Sequence, residues 1–489
     1  GNRKTWTWSG WVKRGNLSTG QKVFAAGTSD TNGTSFQVLG NTGLEDVLQF
    51  YTIIGGTDYG WNSTLKLRDT SAWYHLVIIY DASNATGSDR MRAYVNSERI
   101  TAFVTDYGEL PLNTDSFMNA TNVHTFGKHQ SNASTYLDGY LAEVNFIDGQ
   151  ALTPDSFGET GDYGEWKPLK YTGSYGTNGF YLDFKNSGDL GNDAAGSNNW
   201  TPTNLAATDQ MLDSPTNNFC TLNPLFNSPL LIQDNSTGSL NTLAEGNLKS
   251  TTTGAIASVG SVGTFSLSSG KYYFEYTATA VSPSGNSVGL DRLITTNEQY
   301  WYRSTGSIVG DSTTGSPATW TVGDIIGVAA NLDTGVITFY KNNVSQGTSS
   351  ITTSKLSSGF MPMVWYRDNT NTPSSVMNFG QDSSFAGNKT AQGNSDSNGI
   401  GDFYYAPPAG FLALCTQNLP DATVIPSEHF NTVLYTGNGT TQSITGVGFE
   451  PDFIWGKSRA LTHWHILVDS LRVVSNLLFT NATAAEETG

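Results

Sequence analysis

Carboxylates are the commonest reactive groups in this chain, yet few of them are spaced so that they could act together. Glu159, Asp162 and Glu165 stand three apart in a Gly-rich stretch. Retaining glycoside hydrolysis needs two carboxylates about 5 Å apart, but loop spacing of three and three lacks the strand alternation that would aim them into one groove. They read as solvated loop charge. Asp183, Asp189 and Asp193 share a loop with Asn186, Asn192, Ser197, Asn198 and Asn199. Such oxygen-rich loops suit Ca²⁺, which takes six to eight oxygens in irregular geometry, so Ca²⁺ is the one cofactor suggested, with those three aspartates as its ligands. The order of an EF-hand is absent, and turn-rich β-proteins carry Asn/Asp/Gly loops without metal. His463 and His465 flank Trp464 at a spacing of two, one face of a strand, where surface or packing roles compete with metal binding. There is no Gly-x-Ser-x-Gly elbow, no His-x-x-x-His pair and no phosphate-cradling loop with a following lysine. No catalytic residue is nominated, and the chain is not expected to be an enzyme.

The alternative to catalysis is recognition, for which aromatic rings in polar surroundings are the signal: flat rings stack on sugar faces while neighbouring Asp and Asn accept hydroxyl protons. Tyr59 and Trp61 in GGTDYGWNST, Tyr300, Trp301 and Tyr302 in NEQYWYRST, and Trp365, Tyr366 and Asp368 in VWYRDNT are the candidates. Tyr59, Trp61, Trp301, Tyr302, Trp365 and Asp368 form the ligand-binding set. Each ring also has a packing reading, and strand alternation requires that either Trp301 or its flanking tyrosines face inward.

The elements that must carry these residues are strands. The 489 residues suggest about three domains, and 53 glycines, abundant Thr, Ser and Asn, and 12% aromatics favour short strands joined by turns. Helical spacing shows only near Ala460–Leu478. No apolar run approaches the roughly 18 residues that span a membrane, so membrane insertion is not expected. The net charge of −17, from 42 acids against 25 bases, would repel phosphates and argues against nucleic acid. Its scattered acids read as a solvated surface. Cys220 and Cys415 read as two buried thiols rather than a pair across the central module. No signal peptide is visible.

Particular runs narrow the fold. Ile325 to Asn331 alternates, Asp333-Thr334-Gly335 turns, and Val336 to Tyr340 returns with β-branched and aromatic residues. The order Gly-Asp, Ile-Gly-Val, Asp-x-Gly, Phe-Tyr-Lys-Asn within Gly323–Gly347 resembles the SPRY domain, as does Gly270-Lys271-Tyr272-Tyr273-Phe274-Glu275. Asn342-Asn343 stands where that family has Asn-Gly, and Asn tolerates the left-handed turn. TWTWSGWVKRGN, Trp73 to Asp81 with Arg92 to Asn96, and Asp138 to Leu152 resemble the concanavalin-like, laminin-G-type jelly roll that recurs in phage tail and fibre proteins. Within the last run, Tyr140, Ala142, Val144 and Phe146 share one face and Leu141, Glu143, Asn145 and Ile147 the other, which makes Glu143 a structural group. Leu434 to Lys457, with a hairpin at Gly437-Asn438-Gly439 and a strand after Pro451, is similar to a module of marine phage structural proteins.

The expected architecture is all-β: tandem antiparallel sandwiches, a jelly roll over 1–165, an ordered connector over 166–244, a SPRY-like sandwich over 245–385, a linker over 386–402 and a β-rich module from 403 to 489. Because Thr5 to Val12 reads as an inner strand, a strand before it is expected, as is a continuation after Gly489. The resemblances imply a non-enzymatic virion protein at the particle surface, a tail fibre, spike or head fibre. Its expected partners are host cell-surface glycans and other virion proteins, and its expected state is a homo-oligomer, trimers being common among fibres. The alternatives are a structural decoration protein, a cellular carbohydrate-binding adhesin and a glycoside hydrolase.

Overall fold

The computed structural model describes residues 1–132, 134–225, 241–252, 256–292, 298–368, 372–421, 424–472 and 475–488, without the side chains of 256–258 and 368. Its larger compact unit comprises Gly1–Glu159 and Lys167–Leu419, and its smaller one Thr160–Trp166 and Pro420–Gly489. The fold is all-β, built from antiparallel sheets, and among the described residues only short 3₁₀ turns occur besides.

The first sandwich has two six-stranded sheets. One runs, edge to edge, through Phe180–Leu182, Gly139–Asp148, Thr5–Arg14, Trp73–Asp81, Met91–Val95 and Glu98–Arg99. The other runs through Val123–Phe126, Gln21–Ser29, Asn32–Val38, Val47–Ile54, Thr57–Lys66 and Phe103–Gly108. Thr5–Arg14 is thus an inner strand. Its alternation sends Trp6 and Trp8 into the core, where Trp6 stacks on Tyr80 at 5.5 Å and Trp8 meets Phe36 at 4.8 Å. The alternation expected for Gly139–Asp148 does not survive the whole strand. Glu143 adopts φ +52 at a bulge opposite Ser9 to Trp11, and the extra residue shifts the phase. Leu141 therefore joins Val144 and Phe146 at the core, while Tyr140 faces outward to Trp73.

The second sandwich packs an eight-stranded sheet, with Lys271–Ala280, Ile325–Asn331 and Val336–Lys341 near its middle, against a five-stranded one containing Asn286–Asp291, Gln299–Arg303 and Met361–Asp368. The long hairpin forms in the register Asn331↔Val336 to Ile326↔Lys341. Asn342 and Asn343 take φ +48 and +65, the two left-handed positions of a tight hairpin turn, which Asn accepts at little cost. Cys220 opposes Leu414, and Cys415 bridges Phe219. The two thiols enter different apolar clusters and remain free, and burial pushes both up to about 11.

Residues between the sandwiches bind both. Phe180–Leu182 extends the first sheet beside Gly139–Asp148, and Leu222 bridges Gly263 of the second sandwich. At the junction Lys13 Nζ, fully buried, donates to Asp213 Oδ2 at 2.7 Å, Asn218 Oδ1 at 2.7 Å and the Phe219 carbonyl at 3.1 Å. Asp213 Oδ1 also accepts from Trp73 Nε1 at 3.0 Å and the Phe219 amide at 3.3 Å. The stretch 386–402, expected as a linker, is folded onto the second sandwich: Asp396 is buried and accepts the amides of Asn398, Ile400 and Ala413. Beyond this stretch the compact units divide between Leu419 and Pro420.

The smaller unit holds one four-stranded sheet, Phe453–Gly456, Ile466–Asp469, Asn476–Phe479 and Glu487–Thr488. The helical spacing near Ala460–Leu478 therefore belongs to strands and turns, because Ile466, Leu467 and Val468 pair across the sheet. A strand does follow Pro451, but the described residues around Gly437-Asn438-Gly439 form no hairpin strands.

Two outcomes follow for stability. Lys13→Met strands the Asp213 charge in the interior, and loss of one buried partner costs about 3–5 kcal/mol; denaturant unfolding of the larger unit should show that loss, with Lys13→Met/Asp213→Leu recovering much of it. Glu275 is fully buried, and burial pushes its carboxyl up to about 7 even though the amides of Tyr404 and Tyr405, the Tyr273 hydroxyl and the Asn378 amide all donate to it. A folded value above the ordinary 4.5 means that its contribution to stability is complete below pH 4.5 and is lost as the pH rises through about 7. Melting temperatures measured across that window should fall with rising pH in the native chain and fall less steeply in Glu275→Gln.

Candidate functional site

The outward face of the second jelly-roll sheet holds an assembled polar surface. Val47–Ile54 alternates so that Leu48 and Phe50 enter the core while Gln49, Tyr51 and Ile53 point outward. Neighbouring strands add Ser35 and Gln37, Asn62, and Tyr107. Across the strands Gln37 donates to Gln49 Oε1, Gln49 Nε2 donates to Asn62 Oδ1 at 2.8 Å and to the Tyr107 hydroxyl at 3.4 Å, and Asn62 Nδ2 donates to the same hydroxyl at 3.2 Å. The Tyr107 oxygen thereby accepts two N–H groups, which leaves its own proton for an outside acceptor.

Lys22, almost wholly buried, organises the other end. Its ammonium donates to Ser35 Oγ at 3.0 Å and to the Tyr51 hydroxyl at 2.9 Å, and lies 4.9 Å from the Tyr51 ring centroid. Burial lowers its pKa, with Tyr51 acting in the opposite direction. Because the Tyr51 oxygen accepts from the lysine, its proton too is directed away from the sheet. Above this floor is a shallow cavity of ≈ 270 Å³, lined by Gln37, Gln49, Tyr51, Ile53, Asp58 and Tyr107 among others. It offers two phenolic rings, amide groups and one exposed carboxylate, Asp58. The alternation of Gln49, Tyr51 and Ile53 was the signal that could have marked this face in the sequence.

The residues expected from sequence fall elsewhere. Gly55-Gly56 makes the turn, so Tyr59 and Trp61 lie on the strand Thr57–Lys66. Trp61 is only 5% exposed, donates from Nε1 to the Met91 carbonyl at 3.2 Å and stacks on Phe103 at 5.1 Å; it is a core residue. Tyr59 packs half-buried against the same core. Tyr300 and Tyr302 point into the core of the second sandwich, and neither ring face is open to a ligand. Trp301 and Trp365 occupy the opposite face of that sheet, their ring centroids 5.9 Å apart, with the Arg303 guanidinium 4.1 Å and 4.8 Å from them, and both are covered. The Asp368 side chain lies outside the described residues.

The three expected calcium ligands do not converge. Asp193 is buried and accepts the amides of Tyr181, Ala195 and Asn198, whereas Asp183 accepts that of Lys185 and Asp189 that of Gly191. Each carboxylate closes its own turn. Among the described residues no group of three or more His, Cys, Asp or Glu side chains is placed to hold a metal ion. His465 precedes the strand Ile466–Asp469, so the strand geometry expected for His463 and His465 does not form.

Residues 2–156 match the concanavalin A-like lectin/glucanases superfamily. Residues 268–382 match the SPRY domain, and residues 425–489 match a domain of unknown function, DUF7483. A concanavalin-like domain and a SPRY domain are therefore present, and they suggest a binding or adhesion role. No curated protein matches the chain. Among solved structures, the SPRY domain of human HERC1 is similar at 17% identity, covering 29% of this chain and 95% of that one, with a TM-score of 0.25. The stonustoxin structure matches at 16% identity over 32% of this chain and 27% of that one, TM-score 0.23. The TRIM65 PSpry domain matches at 12% identity over 32% and 89%, TM-score 0.24.

The burial of Trp61 and Trp301 fixes the outcome of removing them. Trp61→Ala and Trp301→Ala should each cost about 3–5 kcal/mol, the usual range for a large core aromatic, as read by urea unfolding.

Proposed function

We propose that this chain is a non-enzymatic adhesion protein that binds neutral glycans on the outward face of its second jelly-roll sheet. The observation that carries the reading is the cavity floor formed by Gln37, Gln49, Tyr51 and Tyr107, in which two half-buried phenols are held by an amide row that the buried Asn62 completes. Aromatic faces stack on sugar rings, and amides and hydroxyls exchange hydrogen bonds with sugar hydroxyls. A net charge of −17 disfavours polyanionic ligands. Asp58 is the one acid on the cavity lining, and hydrolysis by the usual route needs two carboxylates flanking the scissile bond; recognition is favoured over cleavage.

The biological setting we propose is a virion surface: a phage tail fibre, spike or head fibre whose ligand is a host-surface glycan and whose neighbours are other virion subunits. It rests on the resemblance of the jelly-roll runs and of Leu434 to Lys457 to phage modules. Homo-oligomerisation fits this setting, because several weak shallow sites acting together gain roughly 10²–10⁴ in avidity. A structural decoration protein is the second reading, favoured if the polar face binds nothing.

Binding of the full chain to a panel of neutral polysaccharides tests the reading. Tyr51→Ala and Tyr107→Ala should each weaken binding about tenfold or more, about 1.4 kcal/mol, with the far-ultraviolet spectrum unchanged. Binding that both variants retain in full would move the site off this face.

A further inference from the structure

The smaller unit has a sheet but no interior: none of its described residues is buried. Its apolar side chains occupy both faces. The pairing of Phe453 with Asp469, Trp455 with Leu467 and Leu467 with Leu478 places Phe453, Trp455, Leu467 and Leu478 on one side. Ile454, Ile466, Val468 and Phe479 lie on the other. Phe453 is 59% and Trp455 62% exposed. A sheet of this size with half-buried and exposed apolar side chains but no buried one lacks the apolar burial that offsets chain entropy, so its surfaces call for a partner.

Two features indicate what that partner is. Phe453–Gly456 is the edge strand of its sheet, paired on one side to Ile466–Asp469, and an apolar, uncharged edge is a ready template for another strand. The three longer strands, FIWG, ILVD and NLLF, hold one charged residue, Asp469, which Arg472 pairs. In a chain of net charge −17, self-association would ordinarily be opposed by like charge, whereas on these strands the single carboxylate, Asp469, lies on the Phe453 face and is paired with Arg472. We infer that the smaller unit is a self-association module, in which Phe453–Gly456 pairs with the same strand of a second copy and the two apolar faces become continuous. Such a contact is self-complementary about a two-fold axis. With covered aromatic side chains burying about 150–250 Å² each, the exposed parts of Phe453, Trp455 and their apolar neighbours supply several hundred Å² per copy, approaching the roughly 800 Å² per partner of stable interfaces.

Light scattering on the full chain at micromolar concentration tests this, independently of glycan binding. The expected mass is at least twice 52.5 kDa; Phe453→Asp/Trp455→Asp should return it to the single-chain value, whereas Val344→Asp, at an exposed position of the larger unit, should leave it unchanged. Hydrogen exchange on the unmodified chain provides a second readout that needs no variant, with amides of Phe453–Gly456 gaining protection as concentration rises. A native chain that is monomeric, or whose Phe453–Gly456 amides exchange equally fast at every concentration, overturns the inference, as does an assembly that survives the double substitution.

Discussion

The buried pair of Lys13 and Asp213 is the constraint around which the larger unit is arranged. An ammonium taken out of water is tolerated only when its donors are satisfied and a counter-charge is close, and Lys13 has three acceptors while Asp213 has two further donors. These partners come from different places in the chain: an inner strand of the first sandwich, Trp73 on the strand beside it, and the Asp213–Phe219 segment that leads into the second. Tyr140 donating to the Gly246 carbonyl at 2.7 Å and Asn247 donating to the Gly15 carbonyl at 3.2 Å fasten the same junction. Arg14, the next residue, points the other way, to Asp46 at 2.8 Å and the Leu67 carbonyl at 2.8 Å. Two consecutive cations are thus buried on opposite sides of one strand, one closing its own sandwich and one joining it to the next.

The polar floor on the outward face of the second jelly-roll sheet works by the same rule at lower charge, with Lys22, Ser35, Gln49 and Asn62 buried and Tyr51 and Tyr107 half-buried. Lys22 is held by two hydroxyls, and the amide row from Gln37 to Asn62 is satisfied internally. The groups facing solvent are thereby oriented before any ligand arrives. Pre-orientation reduces the entropy lost on binding, which matters for a shallow site that cannot bury much of a sugar.

Local rules made much of the fold legible and little of the site. The hairpin of Ile325–Asn331 with Val336–Lys341 and the left-handed Asn342-Asn343 turn depend on residues adjacent in sequence, so alternation and turn chemistry sufficed. The phase of Gly139–Asp148 did not follow, because a bulge at Glu143 is set by the opposing strand. Alternation likewise separates Trp301 from Tyr300 and Tyr302 without saying that both faces of their strand are covered. The scattered acids read as solvated, yet Asp46, Asp193, Asp213, Glu275 and Asp396 are buried, each matched to donors, several of them distant in sequence. The Gln37–Gln49–Asn62–Tyr107 row draws on four strands, and no single window contains it.

Hydrogen exchange of the full chain, with and without a saturating neutral polysaccharide, would locate the ligand without relying on any substitution. Slowed exchange confined to Asn32–Val38, Val47–Ile54, Thr57–Lys66 and Phe103–Gly108 is the result expected if the outward jelly-roll face is the binding surface. Protection confined to the second sandwich, or no protection under conditions where binding is measured, would contradict it.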